Sequence, residues 1–77
     1  MALDLWCKQD IRNSILAGLV IAAANPDPVL VAGMLIAFMH QAHSFGLDWI
    51  PLLQDATKGL GRGGDWLLAV SEGKVLA

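Results

Sequence analysis

SILAGLVIAAANPDPVLVAGMLIAFM, residues 14–39, decides the fold, because two apolar runs meet in it at the polar corner Asn25-Pro26-Asp27-Pro28. From Asn13 to Leu47 the chain has 35 residues and one fixed charge, which is Asp27. Proline interrupts a helix, and the residue before each proline is pushed toward extended backbone. Asp27 followed by Pro28 also favours a new helix, with a capping carboxylate and a proline at the first helical position. The pattern therefore predicts a helix on each side of the corner.

The two predicted helices form a hairpin over residues 4–44. The first runs over 5–24 and follows Asp4 as N-cap. It is amphipathic at its start and apolar on all sides from Ser14 onward, which indicates that its first half is exposed and its second half enclosed. The second runs over 28–44, where length and Ala, Met and Leu content favour helix over a buried strand. A connection of three residues predicts antiparallel neighbours.

The tail carries a weak internal repeat. Gly46-Leu47-Asp48-Trp49-Ile50 recurs as Gly63-Gly64-Asp65-Trp66-Leu67. Each copy reads as glycine, capping aspartate and a short helix that opens on tryptophan, which predicts helices over 48–58 and 65–76. The glycine-rich residues 59–64 between them match the letters of a dinucleotide fingerprint, but no strand precedes them, so we interpret them as a linker. The chain is predicted to be one helical domain, residues 1–77, of the all-α class.

Composition predicts association. Apolar residues make up 56% of the chain and charged residues 16%, which is more apolar surface than a body of 8.2 kDa can bury alone. We therefore expect the hairpin to be completed as an oligomeric bundle, a dimer or larger. In a hairpin, Gly18 and Gly33 lie at similar distances from the corner, and each begins a small-xxx-small spacing that allows close helix approach. We expect them to be a contact point of the two helices, either within one chain or between copies. The expected interface comprises Gly18, Leu19, Ala22, Leu30, Gly33, Met34, Ala37 and Phe38.

Several function classes find no support in the residues. Five basic residues are interleaved with seven acidic ones, without the basic stripe that binds nucleic acid. No serine lies in a nucleophile elbow, Cys7 has no second cysteine or nearby histidine in sequence, and no carboxylate pair is framed for acid–base catalysis. We expect a non-enzymatic protein without cofactor or small-molecule substrate. The single cysteine fits a reducing compartment, which predicts a cytoplasmic location.

The apolar arms also raise a membrane alternative, a small membrane-associated subunit with the helix of residues 28–45 in or on the bilayer. A span needs about 20 predominantly apolar residues. The fully apolar parts, 15–24 and 29–39, are each about half that length, and joining them would bury Asp27 at mid-membrane. A soluble, tightly associated helical protein is the preferred interpretation.

His40 and His43 give a second alternative, a metal- or haem-binding bundle. Residues three apart share a helix face, and neutral imidazoles are good ligands for zinc, copper or haem iron. A metal site needs further ligands, and the neighbouring candidates are Asp48, which has a predicted capping role, and Cys7. The preferred interpretation is that both histidines interact with the carbonyl end of the helix dipole.

The tryptophans Trp6, Trp49 and Trp66 allow two interpretations as well. They could form an aromatic patch for a ligand or a membrane surface, where tryptophan is enriched. The preferred interpretation is that they lie across the flank of the hairpin as part of the core.

Overall fold

Four helices make up the fold of the part of the chain that the structure describes. The structure is a computed structural model, and it describes the backbone of residues 2–74 and the side chains of residues 8–74. The helices are α1 (Ala2–Ala23), α2 (Pro28–Ser44), α3 (Trp49–Lys58) and α4 (Arg62–Ser71), and residues 2–74 contain no strand. The predicted all-α class is confirmed.

The polar corner starts α2 as its sequence predicts. Asp27 is extended (φ −84°, ψ 107°), and its Oδ1 accepts hydrogen bonds from the backbone N–H groups of Val29 (3.0 Å) and Leu30 (3.3 Å). The side chain of Asn25 in turn accepts from the N–H of Asp27 (2.9 Å). These bonds satisfy donors that have no partner inside the helix, and a cap of this kind is worth about 1 kcal/mol.

The other predicted aspartate caps are not formed. Asp4 lies inside α1, since the helical backbone already begins at Ala2. Asp48 occupies the N-cap position of α3 without making a side-chain capping bond. Asp65 lies in the first turn of α4, and Gly61 precedes that helix with φ +55°, a conformation that favours glycine.

The boundaries of α4 differ from the prediction, because it begins at Arg62 rather than at 65 and so absorbs half of the predicted linker. The reason is tertiary contact. A Cβ on Gly63 would lie 2.9 Å from the Cβ of Ala23, and one on Gly64 would lie 3.0 Å from the carbonyl carbon of Thr57. Their neighbours leave no room for a side chain, so the close packing of α4 requires glycine at both positions and offsets the low helix propensity of glycine. The helix ends at Ser71, and the last predicted helical residues, 75–76, lie outside the described residues.

The core draws on all four helices, and each helix contacts the other three. In α1 and α2 the buried residues recur at helical spacing, so each helix turns one stripe inward. No polar side chain among residues 8–74 is buried. The buried apolar residues are Ile15, Leu19, Ala22, Val31, Leu35, Ala42, Leu52, Leu53, Leu67 and Val70.

A hydrogen bond of Trp66 connects α4 to the polar corner. It lies in the middle of α4, not at its start, and its indole Nε1 donates a hydrogen bond to the carbonyl oxygen of Asn25 (2.8 Å). Its ring is half-buried against the core, as is that of Trp49, so both follow the core interpretation. The side chain of Trp6 lies outside the described side chains.

Replacing Trp66 with phenylalanine should lower the free energy of unfolding by about 1 kcal/mol more than the matched change Trp49→Phe, because only Trp66 loses a hydrogen bond. Both changes remove similar ring volume from half-buried positions, and Trp49 makes no side-chain hydrogen bond within residues 8–74. Urea unfolding at fixed protein concentration measures the difference. Equal losses would contradict a stabilising role for the Trp66–Asn25 bond.

Gly64→Ala should destabilise the chain by about 1–3 kcal/mol, because the new methyl group meets the backbone of Thr57, which cannot rotate away. The control is Gly59→Ala. Gly59 has φ −91°, and a Cβ there would be 3.9 Å from its nearest neighbour, so the change should cost little. Thermal unfolding of both variants, followed by circular dichroism, checks the prediction, and equal stability of the two would show it to be wrong.

Candidate functional site

An exposed apolar stripe on α2 is the most distinctive surface of the described chain. Val29, Gly33 and Ile36 recur at spacings of four and three and lie on the side of the helix opposite its buried residues. Val29 is 71% exposed and Ile36 54% exposed. Leu30 and Ala37 flank the stripe and are exposed as well. We call these five residues, Val29, Leu30, Gly33, Ile36 and Ala37, the α2 outer face.

Helix α1 has a smaller surface of the same kind. Val20 and Ile21 are 53% and 66% exposed, while Ile15, Leu19 and Ala22 on the other side of the helix are fully buried. The apolar second half of α1 was expected to be enclosed. Within one chain it is enclosed on one side only, because α2, α3 and α4 together cover a single stripe of it.

The expected interface residues fall into three groups. Leu19 and Ala22 are fully buried in the core of the single chain. Gly18, Met34 and Phe38 are half-buried. Leu30, Gly33 and Ala37 are exposed, and they belong to the α2 outer face. Val20, Ile21, Val29 and Ile36 were not in the expected set, although their helical spacing relative to the buried residues marks them as outward-facing.

Gly18 and Gly33 were expected to be a contact point of the two helices, either within one chain or between copies, and they do not meet within one chain. Gly18 lies against the ring of Phe38, where a Cβ would come within 2.8 Å of Cε1. A Cβ on Gly33 would meet nothing within 4 Å. The aromatic ring of Phe38 therefore takes the space over Gly18, and Gly33 faces outward.

The α2 outer face carries no charge. The carboxylate at its start, Asp27, is engaged in capping. The recorded ion pairs lie elsewhere, at Arg12–Asp55 (3.6 Å) and at Lys74–Glu72 (2.8 Å). The hydrogen bond and charge of Glu72 raise the pKa of the fully exposed Lys74. The α2 outer face therefore offers an apolar surface without groups for ion pairing.

His40 and His43 are both exposed at the end of α2. They line a shallow depression of about 450 Å³ together with Asp48 and the apolar residues Met39, Leu47, Trp49 and Ile50. Asp48 was expected to be occupied as a cap, but its side chain makes no capping bond. Even so, no three His, Cys, Asp or Glu side chains within residues 8–74 are grouped to hold a metal ion.

A second groove, of about 340 Å³, separates α2 from the start of α3 and the end of α4. Its lining contains no titratable group, and its one side-chain hydroxyl, that of Ser71, donates to the carbonyl oxygen of Leu68 (2.8 Å). This groove therefore presents apolar walls and no arrangement for acid–base or nucleophilic chemistry. It is lined by Ala32, Leu35, Ile36, Met39, Trp49, Val70, Ser71 and Gly73.

The membrane alternative required a helix over 28–45 in or on the bilayer. The helix observed there, Pro28–Ser44, has 17 residues. Among the helices of the described residues, none has both the length and the apolar character that a membrane crossing requires.

Comparisons with protein-family models, with curated proteins and with solved structures find no match to this chain. A function is therefore inferred from its own side chains and surfaces.

Proposed function

We propose that the chain is a small non-enzymatic helical protein of the cytoplasm that self-associates through the hairpin of α1 and α2, in a structural or protein-interaction role. The observation that carries the proposal is the α2 outer face, which is apolar, uncharged and open although the core of the chain is already closed. Contiguous exposed apolar surface of this kind marks interaction sites.

Contacts along α1 and α2 support the antiparallel hairpin. Near one end, the Nζ of Lys8 lies 3.6 Å from the position of a Cβ on Gly46. Further along, Gly18 of α1 lies against Phe38 of α2. At the other end, residues 24–27 connect the end of α1 to the start of α2. Contact partners whose numbers rise in one helix and fall in the other are typical of antiparallel packing.

A dimer would cover a modest share of the chain's surface. A standard interface buries about 800 Å² on each partner, or about one sixth of the 5048 Å² that this chain exposes. A two-fold symmetric dimer sets the same patch against itself, so an uncharged patch meets its copy without repulsion. Gly33 and Ala37 would allow the backbones of the two α2 helices to approach closely.

The same face could instead lie on a lipid surface, as in the membrane-associated alternative. Interfacial helices typically carry basic residues that attract anionic lipid, and α2 has neither lysine nor arginine. The absence of basic residues along α2 favours a protein partner over a bilayer, and a copy of the chain supplies that partner without further assumption.

Ile36→Glu should abolish self-association, because the symmetric interface would bring two carboxylates into apolar surroundings at a cost of several kcal/mol. We expect Kd to rise by about 100-fold or more, which corresponds to about 2.7 kcal/mol. Equilibrium sedimentation at micromolar concentration measures the change. The fold should be retained because Ile36 is exposed within one chain, and circular dichroism checks this.

The matched control is Gln54→Glu, which adds the same charge at an exposed position on α3 and should leave association unchanged. A stable monomer of the unmodified chain at micromolar concentration would overturn the proposal. Flotation of the unmodified chain with phosphatidylcholine vesicles, lost in Ile36→Glu, would favour the membrane-associated alternative.

A further inference from the structure

We propose that His40 and His43 form one half of a site for a zinc-like divalent transition-metal ion, and that the same pair from a second copy completes it. The inference rests on the proposed self-association and names a ligand and a place for it. Four imidazoles from two chains would supply the tetrahedral nitrogen set that zinc accepts.

The two imidazoles are positioned for shared ligation. They lie three residues apart on α2, are both exposed and line the same depression. Within residues 8–74 neither ring makes a hydrogen bond or an ion pair, and the Ser44 hydroxyl donates to the backbone carbonyl of His40 (2.9 Å), not to its ring. No side chain or backbone group of residues 8–74 therefore competes with a metal ion for the ring nitrogens.

His40 continues the stripe of the α2 outer face, because the series Val29, Gly33, Ile36, His40 keeps the spacing of four, three and four. A copy that covers this stripe also covers the ring of His40. A buried polar group without a partner is costly, so an enclosed imidazole needs a ligand or a hydrogen bond. Two-fold symmetry places His40 of both copies in the same interface, and a parallel pairing of the two α2 helices would bring all four rings to the same level of the dimer.

A single chain does not complete the site. Asp48 is the remaining donor in the depression and its carboxylate is not used as a cap, yet the three groups are not clustered for ligation. Two imidazoles alone leave a zinc ion short of the three or four protein ligands that it takes. A second copy supplies the missing ligands without a rearrangement of the loop that carries Asp48.

The ligand type selects the metal class. Imidazole suits zinc, copper and nickel, whereas magnesium and calcium prefer oxygen ligands. Apart from the carboxylate of Asp48, the side chains around the histidines are apolar and offer no oxygen ligand; they are Met39, Leu47, Trp49 and Ile50. We therefore expect zinc to bind and calcium not to bind.

Titration calorimetry of the metal-free full chain with ZnCl₂ should give one zinc per two chains, and sedimentation should show that zinc lowers the dimer Kd by at least about tenfold. His40→Ala and His43→Ala should each lose both effects. Asp48→Asn and Cys7→Ser should keep both, and CaCl₂ should produce neither.

The outcomes separate this site from the proposed function. The double variant His40→Ala with His43→Ala should still dimerise without zinc and should no longer respond to zinc. That result supports both the metal site and the self-association. A chain that dimerises without zinc and binds none overturns the metal site alone. If the chain is monomeric without zinc and dimeric with zinc, the metal site is supported. The proposal that the apolar face is sufficient for association is then overturned. One zinc per chain, lost in Asp48→Asn or Cys7→Ser, overturns the shared site.

Discussion

The polar corner between α1 and α2 is the constraint on which the rest of the structure depends. Its prolines end one helix, and the carboxylate of Asp27 begins the next by capping Val29 and Leu30. The corner also receives the C-terminal half of the chain, because the indole of Trp66 donates to the carbonyl of Asn25. This segment of four residues thus determines where α1 ends, where α2 begins and where α4 packs.

The two long helices carry more apolar surface than their own chain covers. Each turns one stripe into the core, and α3 and α4 are too short to wrap the remainder. Exposure of Val29 and Ile36 in water carries a free-energy cost that a second apolar surface removes. This imbalance is the physical basis for the self-association that we propose.

The end of α2 differs in character from its beginning. The stripe that starts with Val29 ends with His40, so an apolar contact surface leads into a pair of imidazoles beside an unengaged carboxylate. Apolar contact is non-directional, whereas metal ligation fixes distance and angle. A metal shared by two copies would give the apolar contact a defined register, and its occupancy would couple assembly to metal supply.

The sequence by itself determined the helical class, the corner, the start of α2 and α3 and the surplus of apolar surface, because these follow from local rules: proline geometry, capping by Asp27 and hydrophobic content. It also predicted Leu30, Gly33 and Ala37 as interface residues, and the structure shows that all three are exposed. Only the tertiary structure decided that Phe38, not Gly33, covers Gly18.

The start of α4 and the state of Asp48 likewise depended on packing. Gly63 and Gly64 allow the first turn of α4 to pack closely against Ala23 and Thr57, whereas a local pattern of glycines is typical of a linker. Asp48 has a sequence typical of a cap, yet its carboxylate makes no such bond. Which side of an apolar helix stays exposed depends on which other helices pack against it. That packing is made by contacts between residues far apart in the sequence.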